Sequence, residues 1–116
     1  KKILLVDDNR TNLTILKKEL THWKLNIITA ISGYDALQLL DPNFDLVITD
    51  MQMPAMDGVQ LATKIRDRYP HIPIILLSSV GNDKSKTYDG VFNAILTKPV
   101  KQSVLQKNVL VQLKHI

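Results

Sequence analysis

Short apolar runs of nearly equal length punctuate the chain at Ile3–Val6, Leu46–Thr49, Ile74–Leu77 and Ala94–Thr97. A fifth run, Asn26–Ala30, alternates weakly and is β-branched. Each is too short for a helix and is followed by polar or turn-forming residues, so each reads as a buried strand. The segments between them carry a helical period. Leu13, Leu16 and Leu20 recur around Lys17, Lys18 and Glu19, which predicts a helix from about Thr11 to Thr21. Ser32 stands three residues before Asp35, a capping-box pattern, and Ala36, Leu37, Leu39 and Leu40 give the helix it opens an apolar face. Asp41-Pro42 ends that helix. Asp57 stands three before Gln60 and caps a third helix carrying Leu61, Ala62 and Ile65, over by Tyr69. Gly81–Asn93 holds Asp83, Lys84, Ser85 and Lys86, a short polar fourth helix with little apolar surface. Val104, Leu105, Val109, Leu110 and Leu113 predict a fifth, terminal helix.

The order is β-α repeated five times. Strands that are continuously apolar, separated by amphipathic helices, indicate a parallel sheet covered on both faces. Five units cannot close an eight-stranded barrel. The expected fold is therefore α/β: an open, doubly wound (βα)5 sheet of the flavodoxin-like type, strand order 2-1-3-4-5. At 116 residues, without repeat or linker, the chain is one domain spanning 1–116. It begins on a strand without Met and reads as a domain cut from a longer protein.

Composition narrows the chemistry. The chain contains no Cys, so disulfides, thiolate metal sites and Cys nucleophiles are excluded, and a reducing cytoplasm is compatible. No apolar run approaches membrane-spanning length, and Asp7-Asp8 cuts the first one too early for a signal peptide. The formal charge is +4, but the basic residues are scattered and aromatics make up only 5%. A nucleic-acid binder more often shows a clustered stripe with interleaved aromatics, so solvated helix faces are the expected reading, with no direct nucleic-acid or membrane contact.

The residues that leave the strands carry the chemistry. Strand one ends on Asp7, Asp8 and Asn9, strand three on Asp50, strand four on Ser78 and Ser79, strand five on Lys98. In the expected strand order, one, three, four and five place these ends side by side, at the edge where open α/β sheets bind ligands. Three neighbouring carboxylates repel, and a hard divalent cation relieves them; all-oxygen ligands favour Mg²⁺ or Mn²⁺ over Zn²⁺. Such a site leaves room for a phosphoryl group. Asp50 is then a nucleophile able to form an aspartyl-phosphate, Lys98 a cation for one phosphoryl oxygen, and Ser78 a donor to another.

Val6-Asp7-Asp8-Asn9, the stretch Ile48 to Gly58, Leu77-Ser78-Ser79 and Leu96-Thr97-Lys98-Pro99-Val100 together resemble the response-regulator receiver domain of two-component phosphorelay signalling. Asn12 and the Asp50-Met51-Gln52-Met53-Pro54 loop resemble especially the receivers of hybrid sensor histidine kinases. The resemblance implies a phosphoacceptor switch that takes a phosphoryl group from a phosphohistidine, on a histidine kinase or a histidine phosphotransfer protein. It makes Asp50 the phosphoacceptor. Asp7, Asp8 and Asp50 become Mg²⁺ ligands, with the Gln52 backbone carbonyl as a further one. Ser78 becomes the switch hydroxyl and Lys98 the phosphate-binding cation, with a cis bond before Pro99. Output would come from the surface of the fourth helix, strand five and the fifth helix, which also offers a weak homodimer contact. The domain would be cytoplasmic, its parent free to be membrane-anchored. It would not be an enzyme beyond self-phosphorylation and autodephosphorylation, although a hybrid parent would be a histidine kinase. No small-molecule substrate beyond phosphodonors is implied.

Two positions depart from the family pattern. The switch residue three before the lysine, usually Tyr or Phe, is Ile95. The usual Gly seven before it falls at Val91, with Gly90 one earlier. Ser79 rivals Ser78, because one residue of register moves a side chain to the other face. Asp57 reads as a cap rather than a second acceptor, and Met51, Met53 and Met56 as loop packing. Competing functions are the receiver of a DNA-binding response regulator, a haloacid-dehalogenase-like phosphohydrolase, a flavodoxin-like FMN binder, and a receiver that docks without phosphorylation. The phosphohydrolase needs its nucleophile on strand one; the FMN binder needs a hydroxyl-rich loop where Asp7 and Asp8 stand.

Overall fold

A computed structural model of the chain describes residues 1–21, 25–78 and 91–114. The strands are β1 (Lys2–Val6), β2 (Asn26–Ala30), β3 (Leu46–Asp50), β4 (Ile74–Ser78) and β5 (Ala94–Thr97). The helices among the described residues are α1 (Arg10–Thr21), α2 (Gly33–Leu39), α3 (Gly58–Arg68) and α4 (Gln102–Lys114). The polar helix expected after Gly81, together with Ser79 and Gly90, lies outside the described residues; α4 is the expected terminal helix. The sheet is parallel throughout, in the expected order β2-β1-β3-β4-β5.

The apolar runs of β1, β3 and β4 are continuous because each of these strands feeds two cores. Leu4, Val6, Val47 and Ile74 point to one side, against Ala36 of α2 and Leu61, Ala62 and Ile65 of α3. Ile3, Leu5, Ile48, Ile75 and Leu96 point to the other, against Leu13 and Leu20 of α1 and Leu105, Val109 and Leu113 of α4. A strand buried on both faces has no polar positions to alternate. On α4 the sheet face is Leu105, Val109, Gln112 and Leu113, spaced i, i+4, i+7 and i+8, while Val104 and Leu110 of the sequence pattern are exposed. Among the described residues no helix is long and apolar enough to cross a membrane.

Caps fix the helix starts. Asp57 accepts from Gln60 N–H at 2.8 Å and Gln60 Oε1 accepts from Asp57 N–H at 3.0 Å, a full capping box. Ser32 Oγ accepts from Asp35 N–H at 3.0 Å, but the Asp35 carboxylate takes the Ile31 N–H rather than that of Ser32, so this box is displaced by one residue.

Arg66, near the end of α3, ties the far side of the sheet together. Its guanidinium donates to the carbonyls of Val91 at 2.9 Å, Pro70 at 3.0 Å and Ile72 at 2.7 Å, and to Asn93 Oδ1. Asn93 Oδ1 also accepts from Ile74 N–H at 2.9 Å, so one fork fixes the starts of β4 and β5. Charged donors to backbone oxygens contribute about 1.5–3 kcal/mol each at most, and shared geometry reduces the sum. Arg66→Ala is expected to lower unfolding free energy in urea by about 3 kcal/mol. Arg66→Lys should recover only part, because an ammonium cannot span a planar fork.

Candidate functional site

The chain leaves the sheet at the carboxyl ends of β1 and β3, and there the acidic residues meet. Asp7 follows β1 and is 2% exposed; Asp50 ends β3 and is 8% exposed; Asp8 is exposed. One carboxylate oxygen from each lies within 4.8 Å of the others. The register explains the convergence. Leu5 pairs with Ile48 and Val6 with Thr49, so Asp7, one step on, comes level with Asp50. Lys98, just past β5, reaches Asp50 Oδ1 with its Nζ at 2.5 Å. The Lys98–Pro99 peptide is cis.

Asp7 is held on both oxygens. Asn9 N–H donates to Oδ1 at 2.9 Å and Asn12 Nδ2 to Oδ2 at 3.3 Å. Burial, first, and the Asp50 charge raise the Asp7 carboxyl above its ordinary 3.8, against those hydrogen bonds and Lys98, which lower it. Ser78 ends β4 and is buried, one residue beyond Leu77, the register partner of Asp50. Gln52 is exposed and shares a cleft of about 480 Å³ with Asp8, Met53 and Asp57. Ile95 lies opposite Leu76 on β5 and is half-buried. Met53 and Met56 are buried as packing residues, and Asp57 caps α3.

The loop after Asp50 is tightly built. Met51 N–H donates to the Leu77 carbonyl at 3.0 Å, and Gly58 N–H to the Met51 carbonyl at 2.8 Å. Met56 N–H donates to the Pro54 carbonyl at 2.7 Å around Ala55, whose φ is 68°. That is a γ-turn with positive φ, a strained form for a residue with a Cβ. Gly58 is required by space: a Cβ there would sit 2.5 Å from the Asp50 carbonyl oxygen and 3.1 Å from Met51 Cα. Neither neighbour is a flexible side-chain end. Gly58→Ala is expected to destabilise the fold by about 2 kcal/mol through overpacking, read as a lower urea midpoint, and to displace the end of β3.

The sequence pattern brought out the acidic set and Lys98, and the structure brings them together. Three features were not assigned from sequence. Asn12 reaches Asp7. Gly58 lets α3 start against the Asp50 backbone. A cavity of about 530 Å³ opens beside Asp7 and Lys98, lined by Ile15, Leu16, Glu19, Pro99 and Val100. Ile15 is an exposed apolar residue on an otherwise polar helix face, a signal visible in the sequence.

Comparison with known proteins gives the same picture. The family description "response regulator receiver domain" matches residues 3–110. The transcriptional regulatory protein GlrR of Escherichia coli is 38% identical over 111 residues, covering 92% of this chain and 25% of that protein. The sensor protein EvgS of Escherichia coli is 34% identical over 119 residues, covering 98% of this chain and 10% of that protein. The chain therefore spans a quarter or less of these curated relatives. Among solved structures, the response regulator protein TrrA of Thermotoga maritima, in complex with Mg²⁺ and BeF, superimposes with a TM-score of 0.89 at 32% identity, covering 97% of this chain and 99% of that one.

Proposed function

The chain belongs to the response regulator receiver domain family of two-component signalling, and on that premise we propose that Asp50 is its phosphoacceptor, charged from a phosphohistidine with Mg²⁺ present. The observation that carries this reading is the meeting of three carboxylates within 4.8 Å, with an ammonium already on Asp50. One ammonium does not balance three carboxylates, and a divalent cation relieves the repulsion that remains. The cluster's oxygen-only donor set suits Mg²⁺, or Mn²⁺, better than Zn²⁺. Asp7, Asp8 and Asp50 would hold the ion, with the Gln52 backbone carbonyl as a further ligand. When bound, the ion neutralises charge that builds on phosphoryl oxygens.

An Asp50 carboxylate oxygen bonds to phosphorus as the P–N bond of the donor breaks. The imidazole keeps the electron pair and takes a proton from solvent, leaving an acyl phosphate on Asp50. Lys98, beside Asp50, pairs with a phosphoryl oxygen. Ser78 donates a hydrogen bond to another and moves inward, biasing a pre-existing equilibrium at the β5–α4 surface. Ile95, smaller and without an aromatic ring's rotamer switch, follows by a looser movement. The domain is a switch whose own chemistry stops at self-phosphorylation and autodephosphorylation.

Receiver domains of hybrid kinases and response regulators work with histidine kinases or phosphotransfer proteins, and either is the partner proposed for this chain. The cytoplasm, where ATP supplies phosphohistidine donors, is the compartment that suits this chemistry. We read residues 1–116 as one receiver domain of a longer protein. Likeness to the hybrid signal transduction histidine kinase L of Dictyostelium discoideum, 32% identical over 91% of this chain, supports a hybrid histidine kinase parent. The 38% identity to GlrR supports a second reading, the receiver of a DNA-binding regulator. Incubation with acetyl phosphate and Mg²⁺ tests the central proposal. The intact mass should rise by one phosphoryl group, and EDTA should prevent it. A mass unchanged with small phosphodonors and with a phosphorylated histidine phosphotransfer domain would overturn the reading.

A further inference from the structure

We infer that Asn12 is a positioning residue for the metal site, acting through Asp7. The inference rests on the reading of Asp7 as a metal ligand. Asp7 is buried, and its two oxygens are held from different directions, Oδ1 by the Asn9 backbone and Oδ2 by the Asn12 amide. Together these donors fix the rotation of the carboxylate plane. Without the second, Asp7 turns about its Cβ–Cγ bond and no longer presents a constant edge to Asp8 and Asp50.

The local sequence dictates this contact. Asn9 Oδ1 accepts from Asn12 N–H at 3.2 Å, which caps α1 and places Asn12 in its first turn. Helical side chains lean toward the N-terminus, so Asn12 is carried back over the Asp7–Asn9 loop. The cap uses the Asn12 backbone, not its side chain. Truncating the side chain therefore leaves the cap intact, and Ala suits a helix interior. The donor is also neutral. An amide supports the carboxylate without cancelling the charge a divalent cation needs, whereas Lys or Arg there would compete with the ion. Groups that orient ligands in this way typically change metal affinity by about 10–100-fold when removed.

The test is Mg²⁺ binding by calorimetry on wild type, Asn12→Ala, Asn12→Ser and Asn12→Gln, with circular dichroism and metal-free thermal unfolding on the same samples. Both truncations should keep wild-type helix content and raise the Mg²⁺ dissociation constant about 10-fold. Asn12→Gln, which keeps the amide on a longer stem, should recover part of the loss. A folded truncation binding Mg²⁺ within about twofold of wild type would overturn the inference, as would a Gln variant no tighter than the truncations. Wild type that binds no Mg²⁺ would overturn the metal site itself, an outcome distinct from equal binding by wild type and variant.

Discussion

Asp50→Asn is expected to abolish the gain of a phosphoryl group from acetyl phosphate and Mg²⁺ while leaving the domain folded. The amide of Asn is too weak a nucleophile to displace a phosphoryl donor, and it offers no anion to the cation beside it. The shape is nearly unchanged. Lys98, paired with Asp50 Oδ1 in the wild type, keeps a counter-charge in Asp7, which already feels the Lys98 charge. Repulsion between Asp50 and Asp7 disappears at the same time. Loss of the ion pair and loss of the repulsion therefore offset each other, and the urea midpoint should move little. Asp8 and Asp57, the carboxylates that line the neighbouring cleft, stay in place in this variant. Intact-mass spectrometry of wild type and variant decides the matter. Equal phosphorylation of both would move the acceptor away from Asp50.

The second large effect is expected from Asp7→Asn and depends on pH and on metal. Burial and the Asp50 charge raise the Asp7 carboxyl above 3.8 in the folded chain. A carboxyl raised in this way prefers its proton in the fold. Its stabilising contribution is fully present below about pH 3.8 and is lost as pH rises through the raised value. At neutral pH the ionised Asp7 weighs against the metal-free fold. Metal-free Asp7→Asn should therefore match wild type at the acid end, grow more stable than it as pH rises, and hold a constant advantage above the raised value. Saturating Mg²⁺ should reverse the order. At a hundred times the dissociation constant, a ligand specific to the fold stabilises by about 2.7 kcal/mol, and the variant loses most of that. Urea titrations across pH, with EDTA and with Mg²⁺, measure both effects. A pH-independent difference between the two proteins would contradict the electrostatic account of Asp7.

Much of this architecture is legible along the chain because its signals are local. Ile74–Leu77 reads as a strand from its length and its punctuation, and Asp57 with Gln60 reads as a capping box from a spacing of three. The receiver resemblance rests on short motifs in order. Local signals fail where two faces compete. Val104 and Leu110 fit the helical period of the terminal helix as well as Leu105 and Val109 do, yet only the latter pair faces the sheet. A displaced partner is equally invisible: the Ser32 pattern predicts a reciprocal bond to Ser32 itself, and the Asp35 carboxylate takes Ile31 instead.

The sequence alone determined the five strands, the parallel sheet and the acidic, hydroxyl and lysine residues that end its strands, because hydrophobic period and strand-end position are properties of neighbours along the chain. Only the tertiary structure decided that Asp7 and Asp50 come level, that Lys98 reaches Asp50 Oδ1, that Asn12 turns back onto Asp7, and that a Cβ at position 58 would strike the Asp50 carbonyl. Those facts depend on strand register and on the approach of α1 and α3 to the sheet edge, distances set by packing between segments far apart in the chain.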